Sequence, residues 1–207
     1  MKADPEWLAS HGFEPDAELT HQDLLPFIKK YLFRKNPITL FYLFFNVAGA
    51  LSLVIAGVLF GLSGKCTFGE IVTYVSYGCG IPFLLIPIHE GLHGLAYKYC
   101  GAEKVSYDVN WKQLYFMAIA DKFVANRKAF YIVGLTPFIV ISIKLVAISI
   151  LFPYPSVIIT MISTIFIHGS MCAGDFGLLS YFVSHAGKEV VTYDDREAGK
   201  SYFFIKR

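Results

Sequence analysis

A run of about 20 apolar residues can cross the hydrocarbon core of a bilayer as a helix, and this chain contains four such runs. They lie at roughly 38–62 (ITLFYLFFNVAGALSLVIAGVLFGL), 71–99, 129–151 and 154–183. Lipid offers the backbone no hydrogen-bond partner, so a segment entering it must satisfy its own N–H and C=O groups as a helix. Composition agrees, since 55% of the 207 residues are hydrophobic and only 16% are charged; soluble domains carry about 25% charged residues. A net charge of +2 gives no reason to expect a nucleic-acid partner. Cys66, Cys79, Cys100 and Cys172 are scattered without metal or disulfide spacing and read as small apolar packing residues. The opening MKADPEWLASHGFEPDAELT is polar and of mixed charge, unlike a cleavable signal, so the first span is expected to act as an uncleaved anchor.

Lysine and arginine orient the spans. Lys29, Lys30, Arg34 and Lys35 precede the first, and Lys98, Lys104, Lys112, Lys122, Arg127 and Lys128 lie between the second and third. Lys188, Arg196, Lys200, Lys206 and Arg207 follow the fourth, whereas the other two loops hold Lys65 alone. The bias of basic residues toward the cytoplasmic side then predicts a multi-pass protein of the cell membrane, with both termini and the 99–128 loop in the cytoplasm. Three regions follow: a cytoplasmic segment 1–35, a four-span membrane domain 36–185 and a cytoplasmic tail 186–207. The first is expected to form one or two short amphipathic helices, with DLLPFIKKYLF against the membrane face. Val105, Tyr107, Val109 and Trp111 alternate with polar residues and predict a strand. The run after Lys112 is either its hairpin partner or a dip into the membrane. The tail EVVTYDDREAGKSYFFIKR reads as strand, turn, strand around Gly199. The fold class is therefore an all-α polytopic membrane protein of about four transmembrane helices, with small cytoplasmic β elements.

The second run contains LLIPIHEGLHGLAYKY, which places ionisable residues where they are expensive and therefore point to function. His89 and His93 stand one helical turn apart on one face, a spacing that lets two imidazoles bind one metal ion. Glu90 lies about 100° round the helix, within reach of a water on that metal. This is the HExxH arrangement, in which zinc activates water and the glutamate is the general base. Catalytic zinc takes three protein ligands and leaves a position for water. The fourth run supplies one carboxylate, Asp175, at a depth matching the histidines, so Asp175 is the expected third ligand. Gly174 and Gly177 beside it would let helices approach closely.

Pro137, in GLTPF, falls near the same depth, where it removes a backbone hydrogen bond and leaves a carbonyl free in the interior. His168 precedes Asp175 by seven residues, about 10 Å along a straight helix, and reads as a packing residue or one outside the ligand set. Lys144 can snorkel outward from the third span.

With HEGLHG, then LTPF, then AGDFG on a short four-span layout, the chain resembles a family of bacterial membrane proteins described as zincin peptidases. More broadly it resembles the intramembrane zinc metalloproteases of the site-2 protease type. The likeness extends from about residue 80 to 182. It implies one Zn2+ per chain held by His89, His93 and Asp175, Glu90 as catalytic base, and a membrane protein or peptide as substrate in the lipid bilayer. Glycine precedes the aspartate here, whereas site-2 proteases typically have it after, and no PDZ-like domain interrupts the chain. The alternative class is a non-proteolytic multi-pass protein, a zinc-binding scaffold or something transporter-like. His89 and His93 share a helix face and cannot be trans ligands of one haem iron. A transporter of four spans without an inverted repeat would need to oligomerise, and an intact Glu90 favours catalysis over a scaffold.

Overall fold

The computed structural model describes residues 5–20, 23–110 and 115–206. Two short elements, α1 (Pro5–Ser10) and β1 (Glu14–Thr20), precede α2 (Leu24–Leu32). The long helices α3 (Pro37–Leu62) and α4 (Phe68–Tyr99) follow. Strands β2 (Val105–Asn110), β3 (Tyr115–Ala120) and β4 (Val124–Asn126) lead into α5 (Arg127–Leu151). The chain ends with α6 (Pro155–Met171), α7 (Ala173–Ser184), β5 (Glu189–Asp195) and β6 (Lys200–Lys206).

The long helices begin where local chemistry starts them. Asn36 caps α3, its Oδ1 accepting from the N–H groups of Ile38 at 3.0 Å and Thr39 at 3.1 Å, with Pro37 in the first helical position. Thr67 and Glu70 form a reciprocal capping box before α4. The Glu70 carboxylate accepts the Thr67 N–H at 2.8 Å and the Thr67 hydroxyl accepts the Glu70 N–H at 3.3 Å. Helices α3, α4 and α5 are each long and apolar enough to cross a membrane. The fourth run is not one straight helix: α6 ends at Cys172 and α7 leaves at 49° to it. Its sequence explains the break. Gly174 is a weak helix former, and Asp175 is favoured in the first turn of a new helix rather than inside an old one. The Cys172 N–H closes the end of α6 on the carbonyls of His168 and Gly169.

Contacts divide the chain into two compact units. One comprises residues 40–89 and 138–173 and is wholly helical apart from its turns. Its helices meet through glycine. A Cβ on Gly78 would lie 2.2 Å from the Ser163 Cβ, and one on Gly169 would lie 2.3 Å from the Phe45 ring. Leu43, Phe44, Leu51, Leu59 and Leu84 are exposed on it, an apolar surface suited to lipid.

The other unit comprises residues 1–39, 90–137 and 174–207. It contains an antiparallel sheet in the order β1-β6-β5-β4 and a separate β2–β3 hairpin. Tyr31, Phe130, Leu179, Tyr181, Phe182 and Phe203 form its main core. The Arg127 guanidinium donates to the carbonyls of Phe182, His185 and Lys188 at 2.5, 2.8 and 2.9 Å, satisfying the end of α7. The tail hairpin is present, with Gly199 at φ +63° in its turn, and β3 is the partner of β2. Trp111 and Lys112 lie outside the described residues. Segment 1–35 departs from expectation, because 14–20 is a strand between two helices. Ala17 and Leu19 face the main core, an alternation too short to read beside two helical patterns. Pro15, with no N–H to donate, is tolerated because β1 is at the sheet edge.

Candidate metal centre

Within α4, donor atoms of His89, Glu90 and His93 all lie within 4.8 Å of one another. The helix alone brings them together, since residues one turn apart project the same way. Pro87 sits two residues before His89; a Cβ on Gly91 would meet nothing within 4 Å, whereas one on Gly94 would lie 2.2 Å from the Tyr107 hydroxyl, which packs onto the helix there.

His93 is buried, 8% exposed, and both of its ring nitrogens are accounted for. On one side Nδ1 is 3.0 Å from the carbonyl oxygen of Val133. A carbonyl only accepts, so Nδ1 carries the hydrogen and donates it. Pro137 explains why that oxygen is available. It stands four residues beyond Val133 within α5 and has no N–H to return to it. The interior carbonyl expected from GLTPF thus belongs to Val133, and its partner is His93. On the other side His93 Nε2 is 3.2 Å from Asp175 Oδ1. Asp175 occupies the first turn of α7, so the bend that splits the fourth run also sets this carboxylate at a helix start. Gly177 lets α7 approach α2 closely: a Cβ there would lie 2.7 Å from Ile28 Cγ2. A Cβ on Gly174 would meet nothing within 4 Å, so only one of the two glycines serves close packing.

Among the described residues the metal-capable clusters are His89–Glu90–His93 and His89–His168–Cys172, neither of which includes Asp175; within the expected set it is the His93–Asp175 pair that is spaced as zinc ligands are. Two ligands at about 2.0–2.2 Å from a tetrahedral ion are roughly 3.3 Å apart, close to the separation of His93 Nε2 and Asp175 Oδ1. With Nδ1 held as a donor, Nε2 is the nitrogen turned to the carboxylate and, once a metal displaces its hydrogen, the one that can ligate. Imidazole, imidazole and carboxylate form a ligand set zinc uses in hydrolytic sites.

Two contacts of the histidines were not read from the sequence. Val133 contributes a backbone atom, which no residue type announces; the signal was the proline four residues later. His168 is not distant from the histidine pair: its Nε2 lies 3.1 Å from His89 Nδ1. The sequence offered no signal for this contact, because His89 and His168 are 79 residues apart and lie on different helices.

The model of a protein family described as "Putative zincin peptidase" matches residues 82–189, more than half of the chain. The chain belongs to this family. The match includes His89, Glu90, His93, Val133, Pro137, His168 and Asp175, and leaves out α3, β1 and β6. Membership carries the zincin character, zinc and peptidase chemistry, to this protein. No curated protein and no solved structure matches the chain.

Proposed function

We propose that this zincin is a membrane-embedded metallopeptidase, resembling the site-2 proteases, that hydrolyses peptide bonds of membrane or membrane-proximal substrates. It uses one zinc ion held by His89, His93 and Asp175. The observation that carries the reading is His93, whose Nδ1 is tied to the Val133 carbonyl while Nε2 faces Asp175 at 3.2 Å. Three spans, or four with the bent pair, support a membrane setting. The basic loops put both termini and the 99–128 loop in the cytoplasm.

Zinc bound there would supply a Lewis acid and lower the pKa of a coordinated water to about 7. Glu90, next to His89 on the same helix, takes the proton of the attacking water and returns it to the leaving amine. The Val133 carbonyl keeps His93 in the tautomer whose Nε2 bears the lone pair. Asp175 contributes negative charge that offsets the metal's own in a medium of low dielectric. A helical substrate hides its carbonyls in hydrogen bonds, so it must unwind before one is attacked. The β2–β3 hairpin could hold such a stretch by adding it to an edge.

Zinc content of the detergent-purified full chain tests the reading. About one zinc per chain is expected, lost in His93→Ala and in Asp175→Ala. Glu90→Gln should keep the zinc and lose peptide cleavage by roughly 10²–10⁴-fold, the usual contribution of a general base. Zinc retained without Asp175 would replace the third ligand. Zinc retained with no cleavage in the unaltered chain would favour a binding scaffold.

A further inference from the structure

His168 has no role in the reading above, yet it is 3% exposed in an apolar helix, where a polar ring is costly unless it is hydrogen-bonded. Its Nε2 lies 3.1 Å from His89 Nδ1, with the two rings at 63° and their centroids 5.3 Å apart. Between two neutral imidazole nitrogens at this distance one donates and the other accepts. Because Nδ1 of His89 is occupied by this contact, Nε2 is the atom left for a metal. An imidazole that ligates through Nε2 carries its hydrogen on Nδ1, so His89 is the donor and His168 the acceptor.

His93 provides an internal comparison. Its Nδ1 is held by the Val133 carbonyl at 3.0 Å, an acceptor that admits no other assignment. Two histidines one turn apart thus each have Nδ1 engaged, one by a proline-freed carbonyl and one by an imidazole from α6. We infer that His168 is a positioning residue whose Nε2 accepts the Nδ1–H of His89, fixing the tautomer and ring plane in which His89 presents Nε2 to the zinc. Such partners of a ligating histidine typically change metal affinity by about 10–100-fold. The inference rests on the zinc reading of His89 and His93.

A competing arrangement sits in the same place. His168 and Cys172 are one turn apart, and donor atoms of His89, His168 and Cys172 lie within 4.8 Å of one another. These three could themselves be ligands. The Cys172 thiol is engaged, its Sγ 3.2 Å from the main-chain oxygen of His168, a local contact between residues one turn apart that helps end α6. A positioning His168 and a ligand His168 predict different responses to substitution.

The experiment is zinc competition with a chromophoric chelator on the purified full chain, alongside the visible spectrum of the cobalt(II)-loaded protein. His168→Leu should weaken zinc binding about 10–100-fold and alter the cobalt bands. His168→Gln, whose amide oxygen can take the place of Nε2 as acceptor, should restore most of the affinity. His168→Asn, with a shorter side chain, should not. Cys172→Ser should behave as the unaltered chain. His93→Ala fixes the reference: zinc bound by the unaltered chain and absent from that variant means the zinc reading stands, and the His168 series then reports on the inference alone. If His168→Leu binds zinc and cobalt as the unaltered chain does, His168 is a packing residue and the inference fails. Zinc lost in His168→Gln and Cys172→Ser as completely as in His93→Ala would make both residues ligands and overturn it. An unaltered chain that takes up no zinc removes the zinc reading, and the inference with it. Should His168→Leu not fold, the contrast between Gln and Asn carries the same decision.

Discussion

The two units of this protein differ in where they keep their apolar side chains. The helical unit leaves leucines and phenylalanines such as Leu43, Phe44, Leu51 and Leu59 on its surface and returns several hydroxyls to carbonyls of their own helices. Thr73 donates to the carbonyl of Gly69, Ser76 to that of Val72 and Ser163 to that of Ile159. The other unit gathers its apolar residues into a core. Its core aromatics Tyr181 and Phe182 are at 0% exposure, and its Lys122–Glu197 and Lys200–Glu18 pairs lie at the surface. In lipid there is no hydrophobic drive to bring helices together, so contact depends on close fit and small residues. In water the drive is burial, and charges tolerate exposure.

Substitutions that confuse the two solvents should break the comparison most. Leu51→Asp, at an exposed position near the middle of α3, is expected to cost about 3 kcal/mol in a bilayer. Unfolding in lipid measures it, and an effect below about 0.5 kcal/mol would mean that α3 faces water. Close fit is the next lever. Gly78→Ala meets the Ser163 Cβ and the Thr160 carbonyl oxygen and should destabilise by about 2 kcal/mol. Gly80→Ala on the same helix has open space and should be neutral or slightly stabilising. Equal effects at both positions would deny glycine its packing role.

Pro137→Ala sharpens the comparison at the metal centre. The restored N–H competes with His93 for the Val133 oxygen, although a carbonyl can accept twice. Zinc affinity should fall by less than about tenfold while thermal stability holds or rises; unchanged affinity would show that the proline is not needed to free that oxygen. The smallest effect is expected at the surface. The Lys200 amine donates to Glu18 at 2.6 Å, with side chains 37% and 52% exposed, and Lys200→Ala should change stability by no more than the scatter of the measurement. Chemical denaturation of the full chain in mild detergent is the measurement, and a loss above that scatter would mark β1 as held by charge rather than by Ala17 and Leu19.

Much of the molecule was legible because much of it is local. Apolar length locates α3, α4 and α5 within a few residues, since a chain segment in lipid has helix as its available structure. Spacing alone sets His89, Glu90 and His93 together, because four residues make about one turn. Pro137 announces a carbonyl without a helical partner from its chemistry. The alternation at Val105, Tyr107 and Val109 and the turn at Gly199 mark the two hairpins. Less legible were β1, whose seven residues depend on pairing with β6 far along the chain, and the bend at Cys172, where one apolar run becomes two helices. Apolar content carries no information about such a bend.

Local pattern alone thus specified α3, α4 and α5, the two histidines and glutamate on α4, and a carbonyl left without a helical partner by Pro137. Only the tertiary structure decided which groups meet them: Val133 at His93 Nδ1, Asp175 at His93 Nε2, and His168 at His89 Nδ1. The physical reason is range. Helix geometry is set by neighbours within four residues, whereas the partners of these imidazoles come from 40, 82 and 79 residues away, and a single 49° bend is enough to move a side chain from where a straight helix would place it.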